Sequence, residues 1–302
     1  MRIFVTGATG YIGGSVVNRL LKDGHQILGL VRTQDKADAL SKLGVEPVLG
    51  SLEDHDLIIS TAKKVDAVIN TADADNRKVA ELLIESLQGT GKKLIHTSGS
   101  SIISDAANGK YSEAIYSDDD TEGFKVHSDK EARVGIDRFV LSEADKKNVK
   151  AIVICPCLIY GVGTGLAKES VQLPVLVRQS KKRGAGVHVG DGLNVWSTVH
   201  VEDVAELYAT AIQSDIDSSI FLFAESGESN FKDIAQHIAE AQGLKGITPW
   251  DPVEAVAEEG DGMVTHALGS NSRVRGKNAR KLGWKPSNSV GLRDYILSFY
   301  KA

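Results

Sequence analysis

Cysteine is scarce in this chain, which has only two among its 302 residues, Cys155 and Cys157. They lie two positions apart in an apolar run, so the alternation of a strand would place both on one face, a poor geometry for a mutual disulfide. No second pair of cysteine or histidine residues stands nearby in the sequence to complete a zinc site. We therefore expect two buried free thiols, no metal and a reducing, cytoplasmic compartment.

Long apolar runs and an excess of basic residues are also missing. No apolar stretch approaches the roughly 20 residues of a membrane-spanning helix, and the first residues enter a predicted strand with no room for a signal peptide. The 35 lysine and arginine residues are outnumbered by 40 aspartate and glutamate residues, which gives a net charge of -5. This charge offers no general attraction to nucleic acid or to anionic membranes, so neither is a predicted partner.

The chain does contain, at its very start, a strand, a glycine-rich turn and a helix in that order. Arg2 to Val5 form a short, largely apolar run, and Thr6 to Gly13 form a turn with a Gly-x-x-Gly-x-x-Gly pattern. This order of elements is typical of dinucleotide binding. Gly7 permits the tight turn, Gly10 lets a pyrophosphate approach, and Gly13 lets the helix pack closely on the strand. The helix N-terminus offers free N–H groups and a partial positive charge to phosphates.

The end of the second predicted strand, Gln26 to Val31, does not carry the acid that usually binds the ribose 2′-hydroxyl of NAD. The chain has Arg32 and Thr33 there and, one turn on, Lys36. A guanidinium suits a 2′-phosphate by its charge and by its two-pronged geometry. We therefore favour NADP(H) over NAD(H) as the cofactor. Asp35 lies close by, however, and a solvated Arg32 that opens the next helix is the simpler alternative.

Predicted strands and helices alternate through the first half of the chain. Further strands over about 45–49, 66–70 and 93–97 are separated by helical segments, a spacing typical of a parallel, doubly wound sheet. Ligands of such sheets bind at the carboxyl ends of the strands. The cofactor contacts predicted from the loops at that edge are Thr6, Gly7, Thr9, Gly10, Tyr11, Ile12, Gly13, Arg32, Lys36, Ser51, Leu52, Thr71 and Ala72.

Periodicity disappears between Asp105 and Ser128, a loop length that points either to function or to poor order. This stretch contains Asp118-Asp119-Asp120, most simply a solvated acidic surface, and no metal site is predicted from it. A second irregular stretch is predicted over residues 245–275.

Five short motifs are spread over the whole chain. In order, they are Thr6-Gly-Ala-Thr-Gly-Tyr-Ile-Gly13, Pro156 with Tyr160-Gly161, Gly190-Asp-Gly192, Val199-His-Val-Glu-Asp-Val204 and Lys281-Leu-Gly-Trp-Lys-Pro286. Together they resemble the extended branch of the short-chain dehydrogenase/reductases, which includes nucleotide-sugar epimerases and dihydroflavonol-type reductases.

The resemblance implies an α/β protein, a doubly wound parallel-sheet Rossmann fold with a smaller C-terminal substrate-binding lobe. The cofactor domain would comprise residues 1–160 plus about 195–224. The lobe would comprise about 161–194 plus 225–302. The family also implies that Pro156 lies beside the cofactor, and a homodimer through the helices that flank the fifth strand is compatible with it.

The resemblance fails at the catalytic residues. Family members use a Tyr-x-x-x-Lys pair on the helix before the sixth strand, and this pattern is absent between residues 100 and 150. The tyrosine passes a proton while hydride moves at the nicotinamide. Counting back from Cys155-Pro156 without gaps puts Asp129 at the tyrosine position and Arg133 at the lysine position, whereas a two-residue gap brings in His127.

The family also uses a serine or threonine after the fifth strand. In this chain that position falls on or next to Gly99, which is flanked by Ser98 and Ser100. We therefore predict that either serine could supply a catalytic hydroxyl, although the usual trio of side chains is not present as such.

Three functions are compatible with this pattern. The first is an NADP(H)-dependent oxidoreductase that reduces a small carbonyl-type substrate. His127 or Asp129, or a tyrosine from the loop (Tyr111 or Tyr116), would then donate the proton, and Arg133 would hold the nicotinamide ribose. The second is a non-catalytic NADP(H)-binding redox sensor, and the third is a nucleotide-sugar epimerase or dehydratase.

Simpler explanations exist for the same residues. His127 could be a surface histidine, and Asp129 could belong to a favourable charge pattern in the first turn of a helix. Arg133 and Asp137 are four residues apart and could pair only with each other.

Overall fold

The apolar run that follows Met1 forms an interior strand of a large parallel sheet in the computed structural model, which describes residues 1–302. The strands of the chain are β1 (Arg2–Thr6), β2 (Gln26–Val31), β3 (Glu46–Leu49), β4 (Ala67–Asn70), β5 (Lys93–Thr97), β6 (Tyr116–Ser117), β7 (Lys150–Pro156), β8 (Leu158–Tyr160), β9 (Gly186–Val189), β10 (Val195–His200), β11 (Ile220–Ala224), β12 (Gly227–Asn230), β13 (Ile247–Trp250) and β14 (Val274–Arg275).

The large sheet has seven parallel strands in the order β11-β7-β5-β4-β1-β2-β3. From β1 the chain winds outward first through β2 and β3, and then returns to the other side through β4, β5, β7 and β11. The strand order therefore reverses between β1 and β4, the place where ligands bind in doubly wound sheets. The predicted fold class is confirmed.

Helices connect and cover these strands. They are α1 (Tyr11–Lys22), α2 (Gln34–Lys42), α3 (His55–Ala62), α4 (Arg77–Leu87), α5 (Glu131–Lys146), α6 (Gln172–Arg183), α7 (Val201–Gln213), α8 (Phe231–Gln242), α9 (Pro252–Glu259), α10 (Asp261–Met263), α11 (Lys277–Lys281) and α12 (Leu292–Phe299). Helix α1 packs against α7, whereas α4 lies between α3 and α5. No helix combines the length and apolarity that would let it cross a membrane.

The central strands are buried because their side chains are apolar on both faces, as parallel sheets between helix layers require. Val5, for example, lies between Gly29 on β2 and Ile69 on β4, and is fully buried. Cys155 and Cys157 are free and buried, and this burial raises the pKa of both thiols well above the ordinary value.

A second, smaller apolar cluster is built from the later part of the chain. Its large members include Trp196, Phe231 and Trp250. Around it lie a three-stranded sheet (β12-β10-β8) and the parallel pair β13-β9. Strand β10 thus pairs with β8 and β12, while β11 joins the large sheet. The division into two lobes at the predicted boundaries remains a prediction.

The stretch over residues 245–275 is more regular than the sequence predicts. It holds β13, α9, α10 and β14, together with a π-helical turn at Val264–Leu268. The prediction was wrong because β13 contains Pro249 and pairs with the distant β9, so the segment lacks a local pattern. Between Asp105 and Ser128 the chain is mainly irregular, as predicted, apart from β6 and short 3₁₀ turns.

Candidate functional site

The glycine-rich turn joins β1 to α1 at the carboxyl edge of the large sheet. Gly7 has φ +76°, and its carbonyl accepts a hydrogen bond of 2.9 Å from the N–H of Gly10. Gly10 is the exposed N-cap of α1 and provides no side-chain cap. The first N–H groups of the helix therefore face the space beyond the turn, as an anion site requires.

Gly13 permits close contact between α1 and the turn. A Cβ atom placed on it would lie 2.9 Å from the carbonyl carbon of Gly7 and still closer to its oxygen and to Thr71 Oγ1. Thr71 Oγ1 in turn donates to the carbonyl of Thr6 at 2.7 Å. The three backbone segments are thus locked together, in agreement with the role predicted for Gly13.

A cleft of about 490 Å³ opens beside this turn, between β1, β2 and β4. It is lined by Gly7, Thr9, Gly10, Leu30, Val31, Arg32, Lys36, Ser51, Leu52, Glu53, Thr71, Ala72, Asp73 and Asn76. Nine of these are predicted cofactor contacts. Arg32 and Lys36 are its two basic residues; both are exposed and neither has an ion-pair partner.

A second cavity, of about 240 Å³, shares Gly10 and Thr71 with the cleft and so continues it past the helix N-terminus. Its walls are Gly10, Tyr11, Ile12, Gly13, Thr71, Cys157, Ile159, Ser170, Val171 and Gln172. Three other predicted contacts from the turn, Tyr11, Ile12 and Gly13, lie here. Pro156 directly precedes Cys157, whereas Thr6 lies beneath the turn and lines neither space.

Helix α1 is tied to the loop that follows β8. Tyr11 Oη donates to the carbonyl of Gly161 at 2.7 Å, and Asn18 Nδ2 donates to the carbonyl of Thr164 at 2.8 Å. Gly165 lies so close to Gly14 that a Cβ atom would meet its backbone. The helix that faces the cleft thus also carries one wall of the second cavity.

A chain of buried polar side chains runs under the carboxyl ends of β1, β4 and β5. Thr6 Oγ1 donates to Asn70 Oδ1 at 2.6 Å, and Asn70 Nδ2 lies 3.2 Å from His96 Nδ1. His96 Nε2 stands 3.9 Å from Asp137 Oδ1, and neither atom has a hydrogen-bond partner. Ser98 Oγ donates to the other carboxyl oxygen of Asp137 at 2.7 Å.

Burial dominates the titration of this chain of residues. It raises the pKa of Asp137 to about 7 and lowers the pKa of His96 to about 4. Both shifts follow from the cost of holding a charge away from water. At neutral pH, His96 is therefore uncharged and Asp137 is close to half protonated.

We expect the Asp137→Asn variant to lose less stability than the wild type as the pH rises from 5 to 7. The folded wild type keeps a proton on Asp137 over this range that an unfolded carboxyl has already released, so its stability falls with rising pH. The raised pKa predicts a fall of about 2 kcal/mol, at ~1.4 kcal/mol per pH unit. Groups that do not contact Asp137 titrate alike in both proteins and cancel in the comparison, whereas His96, 3.9 Å away, is followed separately by NMR in both proteins. Urea unfolding at both pH values measures the difference, and equal slopes would contradict the assignment.

The predicted serine hydroxyls are not available to a ligand in this structure. Ser98 is buried and donates to Asp137, and Ser100 is buried with its Oγ 2.8 Å from Ser272 Oγ. Neither lines the cleft or the second cavity. A buried hydroxyl needs an internal partner, and the fold supplies one to each serine. The catalytic role of Ser98 or Ser100 stays a prediction, to which this geometry adds no support.

Arg133 forms an ion pair with Asp75, through two guanidinium nitrogens, rather than with Asp137. This pair holds the pKa of the Asp75 carboxyl below its ordinary value, despite partial burial. Asp75 lies between Asp73 and Asn76, which both line the cleft. Arg133 is thus fixed at the rim of the cleft and is not part of its lining.

His127 and Asp129 lie together just before α5, and the structure adds a third residue, His266, from the π-helical turn. His266 Nε2 is 3.2 Å from Asp129 Oδ2, and His127 Nδ1 is 3.6 Å from the same oxygen. The hydrogen bond from His266 lowers the pKa of Asp129, which is therefore a carboxylate at neutral pH. Sequence analysis missed His266 because it is 137 residues from Asp129 in a stretch without a pattern.

The two loop tyrosines, Tyr111 and Tyr116, form contacts away from the cleft and the second cavity. Tyr111 Oη accepts a hydrogen bond of 3.1 Å from Arg273 Nη1. Tyr116 lies in β6, which pairs with β14, and its ring packs edge-on against Phe124. Neither lines the cleft or the second cavity, so the prediction that one of them swings in as an acid has no support here.

Comparison with known proteins gives consistent results. The model of the NAD dependent epimerase/dehydratase family matches residues 3–221. An uncharacterized protein of Schizosaccharomyces pombe is 30% identical over 99% of this chain and 100% of its own length. The oxidase ucsJ of an Acremonium species is 30% identical over 94% of this chain and 92% of its own.

Solved structures share the fold at low identity. The UDP-glucose 4-epimerase of Thermotoga maritima, solved with UDP-glucose, superposes with a TM-score of 0.74 at 20% identity, over 99% of this chain and 97% of that one. The dTDP-glucose 4,6-dehydratase DesIV of Streptomyces venezuelae, solved with NAD, gives 0.75 at 18% identity, over 99% and 96%. The family match and the glycine-rich turn agree, and the chain belongs to the NAD-dependent epimerase/dehydratase family, within the extended short-chain dehydrogenase/reductases.

Proposed function

We propose that this protein binds NADP(H) and uses it to reduce a small carbonyl compound. The observation that carries the cofactor choice is the pair of unpartnered cations, Arg32 and Lys36, in the wall of the cleft beside the glycine-rich turn. Its relatives include the oxidase ucsJ and, at 23% identity, a ketoreductase of Stigmatella aurantiaca, which supports an oxidoreductase.

The cleft offers contacts for the adenosine and pyrophosphate parts of a dinucleotide. The turn and the first N–H groups of α1 would hold the pyrophosphate, because Gly10 leaves them uncovered. Leu52 offers an apolar surface for an adenine ring. Arg32 follows β2 at the position where an acid would bind a 2′-hydroxyl, and its guanidinium matches a 2′-phosphate instead.

The second cavity is our candidate for the nicotinamide and the substrate. Ser170 Oγ and Gln172 Nε2 lie in its wall without any hydrogen-bond partner. Buried polar groups are normally paired. A carbonyl or an amide in the cavity would supply the missing partners once these two side chains rotate toward it. When bound, the cofactor would supply the hydride, and the cavity would orient the acceptor and keep water away.

His127 is our candidate proton donor. With a two-residue gap it falls at the position of the family's tyrosine, in the segment that opens α5, and its side chain is about one-third exposed. Like the two loop tyrosines, it lines neither the cleft nor the second cavity, so its side chain has to turn toward a bound substrate to act. Asp129 is the residue that counting without gaps puts at the tyrosine position. Its pKa is lowered, so it is ionised at neutral pH and has no proton to give, but it can orient a proton donor.

A non-catalytic sensor of NADP(H) is the second candidate. It is favoured by the ion pair of Arg133 with Asp75 and by the burial of both Ser98 and Ser100, which together leave the usual catalytic positions without free groups. The same cleft serves both candidates, so cofactor binding alone does not separate them.

The deciding experiment has two stages. Titration by cofactor fluorescence should give NADPH a dissociation constant at least about 10-fold lower than that of NADH, since one charge-assisted, bidentate contact is worth roughly 1.5–3 kcal/mol. NADPH oxidation is then followed with aldehydes, ketones, enones and quinones, using His127→Ala as the impaired variant. Tighter binding of NADH would overturn the cofactor proposal. Tight NADPH binding without turnover of any substrate would favour the sensor.

A further inference from the structure

The cluster formed by His127, Asp129 and His266 joins two parts of the fold. His127 and Asp129 belong to the segment before α5, and His266 comes from the π-helical turn at Val264–Leu268. One ligand atom from each residue lies within 4.8 Å of those of the other two. The rings of the two histidines are 5.0 Å apart.

We propose that these three residues form a binding site for a divalent transition-metal ion of the zinc class. Two imidazoles and one carboxylate are ligands that suit Zn²⁺, Co²⁺ or Fe²⁺. The sequence analysis predicted no metal, because the third ligand is remote in the chain and no cysteine is involved.

The distances are close to those of a tetrahedral site. Ligand atoms about 2.0–2.1 Å from a tetrahedral zinc stand roughly 3.3 Å from each other. The two separations that involve Asp129 Oδ2, 3.2 Å to His266 Nε2 and 3.6 Å to His127 Nδ1, bracket this value. The two histidine nitrogens are at most 4.8 Å apart. His127 has to move closer to both other ligands, and its side chain is partly exposed and can do so.

Ser104 holds His266 in the orientation that a metal ligand needs. Ser104 Oγ lies 3.0 Å from His266 Nδ1 and 2.8 Å from the carbonyl of Ser101. In the metal-free protein the Nε2–H of His266 donates to Asp129. A metal ion would displace that proton, and His266 Nδ1 would then donate to Ser104 Oγ while the Ser104 hydroxyl donates to the carbonyl of Ser101, which leaves the Nε2 lone pair for the ion. Such a partner on the second ring nitrogen fixes the tautomer of metal-binding histidines.

The site is anchored on one side and open on the other. His266 is only 2% exposed, whereas the side chain of Asp129 is 56% exposed. An ion can therefore enter from solvent and keep water at its remaining position. Lys130 lies close enough to interact electrostatically with both Asp129 and His266. Because its positive charge repels a metal cation, we expect moderate rather than very tight affinity.

Metal binding has a functional consequence that rests on the proposed function. If His127 is the proton donor, a metal ion bound to its Nδ1 would occupy the lone pair of that nitrogen and displace any proton held there, so the ring could no longer become the imidazolium acid and carbonyl reduction would stop. We therefore expect zinc to inhibit turnover without weakening NADPH binding, because the cleft and the metal site share no residue.

Cobalt titration tests the site directly, without NADPH or substrate. The protein is first treated with a chelator, then titrated with Co²⁺ while visible absorption is recorded, and finally challenged with Zn²⁺. We expect one equivalent of Co²⁺ to give a d–d spectrum that Zn²⁺ abolishes. His127→Ala and Asp129→Ala should weaken binding by about 10–100-fold or more, and His237→Ala, a partly exposed histidine on α8, should bind like the wild type.

Two results would overturn the metal site: no saturable Co²⁺ spectrum in the wild type, or wild-type affinity in both the His127→Ala and Asp129→Ala variants. Both variants change partly exposed side chains, so a folding defect is not expected, and circular dichroism verifies this. Because the titration contains no cofactor, its failure leaves the proposed reductase untouched. Conversely, cobalt binding in a protein that does not oxidise NADPH would retain the site and reject only the inhibition.

Discussion

The Gly13→Ala variant is expected to unfold at much lower urea concentration than the wild type, with a loss of about 3 kcal/mol or more. The added methyl would overlap Gly7 O and Thr71 Oγ1, and both belong to segments that cannot move apart freely. Gly7 closes the turn, and Thr71 is hydrogen-bonded to Thr6. Forcing atoms into a filled interior costs roughly 1–3 kcal/mol and occasionally more, and here both obstacles are close to the backbone.

Gly10→Ala is the matched control for this prediction. The nearest atom to a Cβ on Gly10 is the oxygen of Gly7 at 3.3 Å, and the residue is exposed. We expect a change in stability of roughly 1 kcal/mol or less, since only the N-cap preference is altered. Its NADPH affinity should nevertheless fall, because the methyl points toward the space proposed for the pyrophosphate. Equal stability of the Gly10 and Gly13 variants would show that α1 can shift away from the turn.

The Arg32→Glu variant is expected to bind NADPH about 100-fold more weakly than the wild type and NADH with little change or slightly better. The substitution removes an attractive contact to the 2′-phosphate and places a like charge beside it, and each effect is worth roughly 1.5 kcal/mol or more. A glutamate at this position also offers the ribose hydroxyl contact that NAD-binding proteins use. Fluorescence titration with both cofactors measures the change.

Arg138→Glu provides the control for net charge. Arg138 is exposed on α5 and lies outside the cleft, so this variant carries the same change in total charge at another place. We expect its NADPH and NADH affinities to match those of the wild type. Equal losses of NADPH affinity in the two variants would show that the total charge of the protein, and not the position of Arg32, causes the effect. An equal loss of NADH affinity in Arg32→Glu would show that Arg32 contacts a group that both cofactors have.

The cofactor side of the molecule is the part that the sequence predicts well. Strand β1, the glycine-rich turn and helix α1 are local features, because the pattern that predicts each of them lies within a short stretch of consecutive residues. Gly7 needs its positive φ whatever lies far away in the chain, and the apolar character of strands such as β1 follows from burial between two helix layers. The cleft at the switch between β1 and β4 then follows from topology alone.

The residues proposed for proton transfer are positioned by contacts between distant parts of the chain, and no local sequence pattern predicts such contacts. Arg133 and Asp137 are correctly spaced for a pair on one helix face, yet Arg133 bonds to Asp75, 58 residues earlier in the chain. The buried carboxyl of Asp137 accepts a hydrogen bond from Ser98 instead, so a hydroxyl that the sequence predicts to be catalytic has an internal partner in this structure. His266 stands beside Asp129 because the later apolar cluster folds back over the end of β5, a placement that no periodicity indicates.

The hydrogen bonds between α1 and the loop after β8 separate this loop into a constrained part and a part that can be redesigned to change substrate selectivity. Gly161 and Thr164 accept hydrogen bonds from α1, so residues 161–166 are constrained by the same helix that faces the cleft. Lys168 is tied back to Gly163 by two hydrogen bonds, so the constraint extends to that residue. Residues 170–172 form no hydrogen bond to α1; Val171 is exposed there, and Ser170 and Gln172 have side-chain polar atoms without a partner. Libraries directed at this second stretch can vary the acceptor while leaving the dinucleotide end of the protein intact.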